Sequence, residues 1–466
     1  MLFNSIEFII FFPAVTLLYF LIPHKFRWVH LLLASCIFYA AFIPSYLLIL
    51  FFLIFIDYSA GLLIERRANK KTWLIISIIA NISLLGIFKY YDFFISNVNQ
   101  LTGTDFILLK WILPIGLSFH TFQSLAYTIE VYHGRQKAIS HVGYYALYVM
   151  FYPQLVAGPI ERPQHLLPQL FTAQRFSSQK LYEGLRLMGW GFFKKLVVAD
   201  RIGQFADAVF NNPAHAGTSS IWLAVFFFSI QIYADFSGYS DIAIGAARCM
   251  GIDLTSNFNR PYQSNNIREF WKRWHISLSS WFRDYVYIPL GGNRRGPARR
   301  KIYLMLTFLL SALWHGAGWT FLVWGFLHGI FLLVYDWYKK SFASLQIPNF
   351  FAWLITGTCV GFAWIFFRAA SIKNAVLMIL QSADVRHFSF GNLLALPGPG
   401  IQFGNFTLAL SFCMIGYMFL IERYSEPKLL DLNSRIIKDG CIFVSSILLI
   451  LFFGVFQKSS FIYFQF

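Results

Sequence analysis

The sequence predicts an all-α polytopic membrane protein, and three observations predict it. Apolar residues make up 57% of the 466-residue chain and charged residues only 13%, against about 25% charged in a soluble domain. The apolar residues fall in runs near the ~20 residues that a helix needs to cross a ~30 Å hydrocarbon layer. The runs lack the period-two alternation of an outer-membrane barrel. Helices, which satisfy their own backbone hydrogen bonds, are therefore the expected spans.

The runs lie near 3–22, 28–43, 46–64, 72–94, 111–131, 142–158, 220–247, 302–316, 319–338, 350–367, 404–421 and 440–457. They predict about 11–12 transmembrane helices in a single membrane domain covering 1–466. The first run has neither a basic residue before it nor a small-residue cleavage site, so it reads as a retained span rather than a signal peptide. No soluble domain and no internal repeat is visible. Five cysteines show no ligand spacing and read as packing residues with free thiols.

The formal charge is +17. In a soluble chain this would suggest nucleic acid. Here the basic residues sit in short loops between apolar runs, which the positive-inside rule explains better. Lys25/Arg27, Glu65–Lys71 and Arg135/Lys137 alternate with nearly uncharged loops at 42–45 and 97–104. That pattern places the N-terminus outside and the basic loops in the cytoplasm. The run Arg294-Arg295-Gly-Pro-Ala-Arg299-Arg300-Lys301, Lys339/Lys340 and the Glu422–Lys438 loop follow in register.

Two regions do not read as plain spans. Residues 159–218, with Gly-Pro-Ile-Glu-Arg-Pro and Lys194-Lys195, are expected to form interfacial or re-entrant helices. In 266–290, Phe270, Trp274, Leu278, Trp281 and Tyr285 recur at helical spacing, beside a polar stripe of Arg268, Lys272, His275 and Ser279. This predicts an amphipathic helix lying in the membrane surface, with His275 on its polar side. Trp271, Trp274 and Trp281 read there as interface anchors.

Chemistry concentrates in a few positions. His315 ends the apolar run 302–316, and an ionisable group at such a depth is costly unless it has a task. Histidine suits proton transfer near neutral pH. His275 precedes a basic loop, and His328 lies thirteen residues beyond His315. Asp235, Asp241 and Asn259 are possible supporting residues, although the two acids also read as helix-packing or capping groups. Lys272, Arg273, Arg294 and Arg295 are candidates for an anionic ligand, the phosphates of coenzyme A among them. No HxxxH or HExxH occurs, so no metal site is expected. No GxSxG elbow marks a serine nucleophile.

At these residues the sequence resembles the membrane-bound O-acyltransferase (MBOAT) family, in the bacterial branch that holds the membrane subunit of alginate O-acetyltransferase. The motifs that carry the resemblance are Tyr233-Ala-Asp-Phe-Ser-Gly-Tyr-Ser-Asp-Ile-Ala, Asn257-Phe-Asn-Arg-Pro-Tyr262, Arg268–Gly292, Leu313-Trp-His315-Gly-Ala and the ending Phe461-Ile-Tyr-Phe-Gln-Phe. The resemblance implies helices around a central funnel or tunnel, with His315 as the family's invariant histidine, His275 as its second polar position and His328 as a further one. It implies acetyl transfer from a cytoplasmic donor, expected to be acetyl-CoA, across the bacterial inner membrane to an exported polysaccharide such as alginate. Acetyl-CoA is a substrate in this reading, and no bound cofactor is expected. Periplasmic acetyltransferase partners are expected, because no extracytoplasmic catalytic domain is visible. The rival readings are a transporter or channel using Asp235, Asp241 and His315, D-alanyl transfer to a cell-wall polymer, and a scaffold.

Overall fold

A computed structural model describes residues 1–66, 69–156, 158–342, 346–384, 386, 388–389, 403–424, 436–456 and 461–462. Among the described residues the secondary structure is helical throughout, with no strand. The 425–435 part of the Glu422–Lys438 loop and the end of the closing motif, 463–466, lie outside them.

Among the described residues, six helices are long and apolar enough to cross a bilayer: Tyr46–Arg66, Lys70–Thr102, Thr218–Cys249, Trp319–Ser341, Asn349–Arg368 and Asn405–Arg423. Ile6–Leu21, Ile372–Ala383 and Gly440–Phe453 are apolar but shorter. The predicted apolar segments thus divide into full-length spans and shorter pieces. Val142–Met150 has nine residues, about 14 Å of helix, roughly half a hydrocarbon layer.

The chain forms two compact units, Met1–Met188 with Tyr239–Ser256, and Gly189–Gly238 with Asn257–Phe466. The long helix Thr218–Cys249 contributes to both.

In the first unit, Asp57 is fully buried within a span. It accepts hydrogen bonds from Ser77 Oγ at 2.6 Å and Asn81 Nδ2 at 3.0 Å. Such a cluster joins helices where the lipid offers no partner. The Gly-Pro-Ile-Glu-Arg-Pro motif has a structural task. Glu161 is fully buried and accepts from the backbone and the hydroxyl of Thr255, the latter at 2.9 Å. Its other oxygen meets His165 Nδ1 at 2.7 Å, which raises the His165 pKa.

In the second unit, Pro297–His315 and Trp319–Ser341 form an antiparallel hairpin. Gly325 and Gly329, four residues apart on the second helix, set its closeness. A Cβ at Gly325 would stand 2.6 Å from Ala312 Cβ and 2.7 Å from Phe308 O. One at Gly329 would stand 2.7 Å from Met305 Sδ. Small residues at this spacing let helix backbones approach in a membrane.

The expected surface helix at 266–290 is not continuous. It breaks into Ile267–Arg273 and Ile276–Phe282, with His275 between them in the left-handed region at φ 42°. Ile276 N donates to Asn257 O at 2.8 Å, and Asn259 N donates to Arg273 O at 2.9 Å, so the preceding loop takes up the backbone groups freed by the break. The aromatic stripe faces protein: Phe270, Trp274, Leu278 and Trp281 are all buried. Apolar periodicity alone does not distinguish a helix on a membrane surface from one in a protein core. Within residues 159–218, Lys194 and Lys195 are buried.

Candidate active site

His315 is the last residue of its helix, and Gly316 leads into the turn. A Cβ on Gly316 would lie 2.0 Å from Phe321 Cε2, so the tight turn requires glycine here. The C-terminal end of a helix carries partial negative charge and favours an imidazolium. His315 is only 4% exposed. Its ring contacts Trp314 at 4.9 Å, Trp324 at 5.0 Å and Phe367 at 5.4 Å between centroids.

His328 is brought to the same place by the hairpin. It is fully buried, with its centroid 5.0 Å from Trp324 and 5.0 Å from Trp271. Trp271 Nε1 donates to His328 Nδ1 at 3.3 Å. Trp271 is therefore a partner of His328. Trp274 and Trp281 are core residues rather than anchors.

His275 joins from the other side of Trp314, 6.1 Å away. It is fully buried, not on a polar face. Its ring packs edge to face on Phe236 at 4.6 Å. Burial pushes its pKa down to about 3, so the ring is neutral at neutral pH. The three histidines and the interleaved Trp314 and Trp324 thus form one continuous aromatic cluster. Tyr262, from the Asn-Arg-Pro-Tyr motif, braces it by accepting from Trp364 Nε1 at 3.1 Å. Trp364 itself packs on Trp274 and Trp324.

The supporting candidates separate. Asn259 is exposed, whereas Asn257 is buried and accepts from Ser277 Oγ at 2.6 Å. Asp235 is buried in an ion pair with Lys195 at 2.8 Å, and Lys195 also meets Asp200 at 2.8 Å. The second Asp235 oxygen accepts from Ile462 N at 2.8 Å. Asp235 is thereby a paired, structural carboxylate, which weakens its use as a proton or solute site. Asp241 is half-buried on the same helix, in the other compact unit. Lys272, Arg294 and Arg295 are exposed, and Arg273 pairs with Glu269 at 2.6 Å. Arg268 and Arg300 both pair with Asp336.

A cleft of about 570 Å³ opens beside the cluster, lined by Asn265, Glu269, Phe331, Tyr335, Lys339 and Thr356 among others. Phe331 also contacts His328, at 5.8 Å. The volume lies in the range of small-ligand sites. Among the described residues no group of three or more His, Cys, Asp or Glu is placed to hold a metal. Sequence reasoning missed Trp324 and Phe367 as neighbours of His315, although the Trp324-x-x-x-His328 spacing places both side chains on one helix face.

A helical membrane chain with a buried histidine cluster at a helix end fits an intramembrane acyl-transfer enzyme, and comparison with known proteins gives its family. Residues 135–379 match the model of MBOAT, the membrane-bound O-acyltransferase family, and the chain belongs to that family. It is 40% identical over 380 residues to "Peptidoglycan O-acetyltransferase" of Helicobacter pylori, covering 75% of this chain and 72% of that one. It is 36% identical over 438 residues to "Probable alginate O-acetylase AlgI" of Pseudomonas aeruginosa, covering 92% and 83%. Similarity to "Teichoic acid D-alanyltransferase" of Bacillus subtilis is lower, 29% over 48% of this chain and 60% of that one.

Proposed function

We propose that this membrane O-acyltransferase moves an acetyl group from acetyl-CoA in the cytoplasm across the inner membrane to hydroxyls of an exported or cell-wall polysaccharide. The observation that carries the reading is His315, buried at a helix end and in contact with Trp314 and Trp324. Two relatives with polysaccharide names, a peptidoglycan O-acetyltransferase and a probable alginate O-acetylase, support the acceptor class. The acceptor is therefore alginate-like or peptidoglycan-like, and the lower likeness to a D-alanyl transferase favours acetyl over alanyl.

In this reading His315 is the general base. It removes the proton of the attacking hydroxyl, on a sugar or on a relay protein, while the acyl carbonyl is attacked. The helix end favours the imidazolium that forms, and the proton then goes to the departing thiolate. His275, neutral and buried, holds Trp314 against His315. The donor enters through the cleft beside His328, which Lys339 helps to line, with the basic 294–301 loop drawing in its phosphates. Periplasmic acetyltransferase partners complete the transfer to polymer. The test is mass spectrometry of envelope polysaccharides from a deletion strain carrying either the wild-type chain or His315→Gln. The reading expects acetyl groups restored by the first only. Equal acetylation in the deletion and wild-type strains contradicts it.

A further inference from the structure

His328 and Trp324 lie four residues apart on one helix, with rings in contact at 5.0 Å. His328 is fully buried and Trp324 is 1% exposed. Trp324 Nε1 and His328 Nε2 have no hydrogen-bond partner among the described residues. An indole N–H is a donor only. Because Trp271 Nε1 donates to His328 Nδ1, Nδ1 must be the accepting nitrogen. The ring is then neutral, and its proton sits on Nε2. The helix face thus carries two buried N–H donors without acceptors, an arrangement that is costly unless a ligand oxygen completes it. Both rings lie beside the base: Trp324 contacts His315 directly, at 5.0 Å. Packing alone accounts for the buried rings but not for two unsatisfied donors on one helical turn. A proton-carrying role for His328 is disfavoured, because Trp271 occupies the nitrogen that would accept a proton.

We propose that Trp324 Nε1–H and His328 Nε2–H form the oxyanion site of the acyl-transfer step, with Trp271 as the positioning residue that fixes the His328 tautomer. The proposal rests on the acyl-transfer reading above. The acceptor hydroxyl oxygen bonds to the acyl carbon and gives its proton to His315. The carbonyl π pair moves onto oxygen, and the two N–H groups hold that negative charge. The charge then returns to re-form the carbonyl, the carbon–sulfur bond breaks, and the thiolate takes the proton from His315. Donors aimed at charge that appears only in the transition state raise kcat rather than lower KM.

The experiment uses membranes from a deletion strain carrying the full-length chain, with radiolabelled acetyl-CoA as the probe. Initial acetyl incorporation into envelope polymer is normalised to the amount of chain. Trp324→Phe and His328→Leu are each expected to lose about 10²-fold in kcat with KM for acetyl-CoA unchanged. His328→Gln keeps an N–H and is expected to stay within about tenfold of wild type. Trp271→Phe, which frees the tautomer, is expected to fall between these in kcat. If His328→Gln is as inactive as His328→Leu, the ring carries a proton and the proposal is overturned. An unchanged kcat in Trp324→Phe also overturns it. His315→Gln separates the two layers. If it is inactive while Trp324→Phe and His328→Leu keep full rate, only the oxyanion assignment falls. If it is fully active, the acyl-transfer reading falls as well.

Discussion

His275 packs its imidazole on Phe236, with centroids 4.6 Å apart and planes at 82°, and does so from a left-handed backbone at φ 42°. A non-glycine residue held there costs on the order of 1–3 kcal/mol, and asparagine and histidine tolerate the region better than most residues. His275→Asn should therefore keep the break between the two short helices while removing the ring that supports Trp314. The expected result is normal abundance in the membrane with acetyl transfer per molecule strongly reduced. Wild-type activity per molecule in this variant would show that the ring has no part in the reaction.

Two histidines give opposite pH signatures. Burial holds the His275 pKa near 3 in the folded chain, below the ~6.5 of the unfolded one. Between these values the unfolded chain binds a proton that the folded chain does not, so stability falls as pH drops below about 6.5. His165 is raised by its hydrogen bond to Glu161. Its contribution is fully present below the unfolded pKa and is lost as pH rises through the folded one. Thermal unfolding of the detergent-solubilised chain should show His275→Asn shallower on the acid side and His165→Gln shallower on the neutral-to-alkaline side. Parallel pH profiles for both variants and wild type would contradict these assignments.

Part of the candidate site is legible in the sequence. An ionisable residue at the end of an apolar run pointed to His315 on the cost of burial alone, and the structure gives it a buried aromatic setting. The resemblance supplied His275 and His328. The surroundings were less legible. The Phe270–Tyr285 stripe has the period of one helix, but the chain breaks at His275, and the apolar face meets protein rather than lipid. A sequence does not show a left-handed residue when that residue is not glycine. Asp235 looked available to the site because Lys195, forty residues earlier, pairs with it only in the folded chain. Cys413 and Cys441, read as packing residues, are exposed.

The hairpin that brings His315 and His328 together depends on Gly325. Gly325→Ala places a methyl 2.6 Å from Ala312 Cβ and 2.7 Å from a backbone oxygen, so the two helices must separate. Overpacking of this kind costs roughly 1–3 kcal/mol. Gly357 has nothing within 4 Å of its Cβ position, so Gly357→Ala should be neutral, or stabilising by up to about 1 kcal/mol from helix propensity. Thermal inactivation in detergent should rank Gly325→Ala well below Gly357→Ala and wild type. Equal inactivation temperatures for all three would remove the packing argument.

Lys195 holds Asp200 and Asp235 at 2.8 Å each, all three buried. Lys195→Met leaves two carboxylates without their shared cation, and breaking a buried pair in this way costs about 3–5 kcal/mol. Asp235→Asn should be milder. The amide oxygen still accepts from Ile462 N, and Lys195 keeps Asp200. Quantified membrane abundance should fall sharply for Lys195→Met and little for Asp235→Asn. The reverse order would mean that Asp235 matters for more than this pairing.

The most direct test of the account is acetyl content of the envelope polymer per unit of membrane-inserted chain in His315→Gln and His315→Ala. A base that removes a proton during transfer contributes about 10²–10⁴-fold. Glutamine keeps approximate size and polarity without carrying that proton, and alanine leaves a small cavity at a helix end whose fold rests on the glycine contacts. The account predicts normal abundance of both variants with acetylation near the level of the deletion strain. Wild-type acetylation by either variant would contradict His315 as the base and return the chain to a scaffolding role.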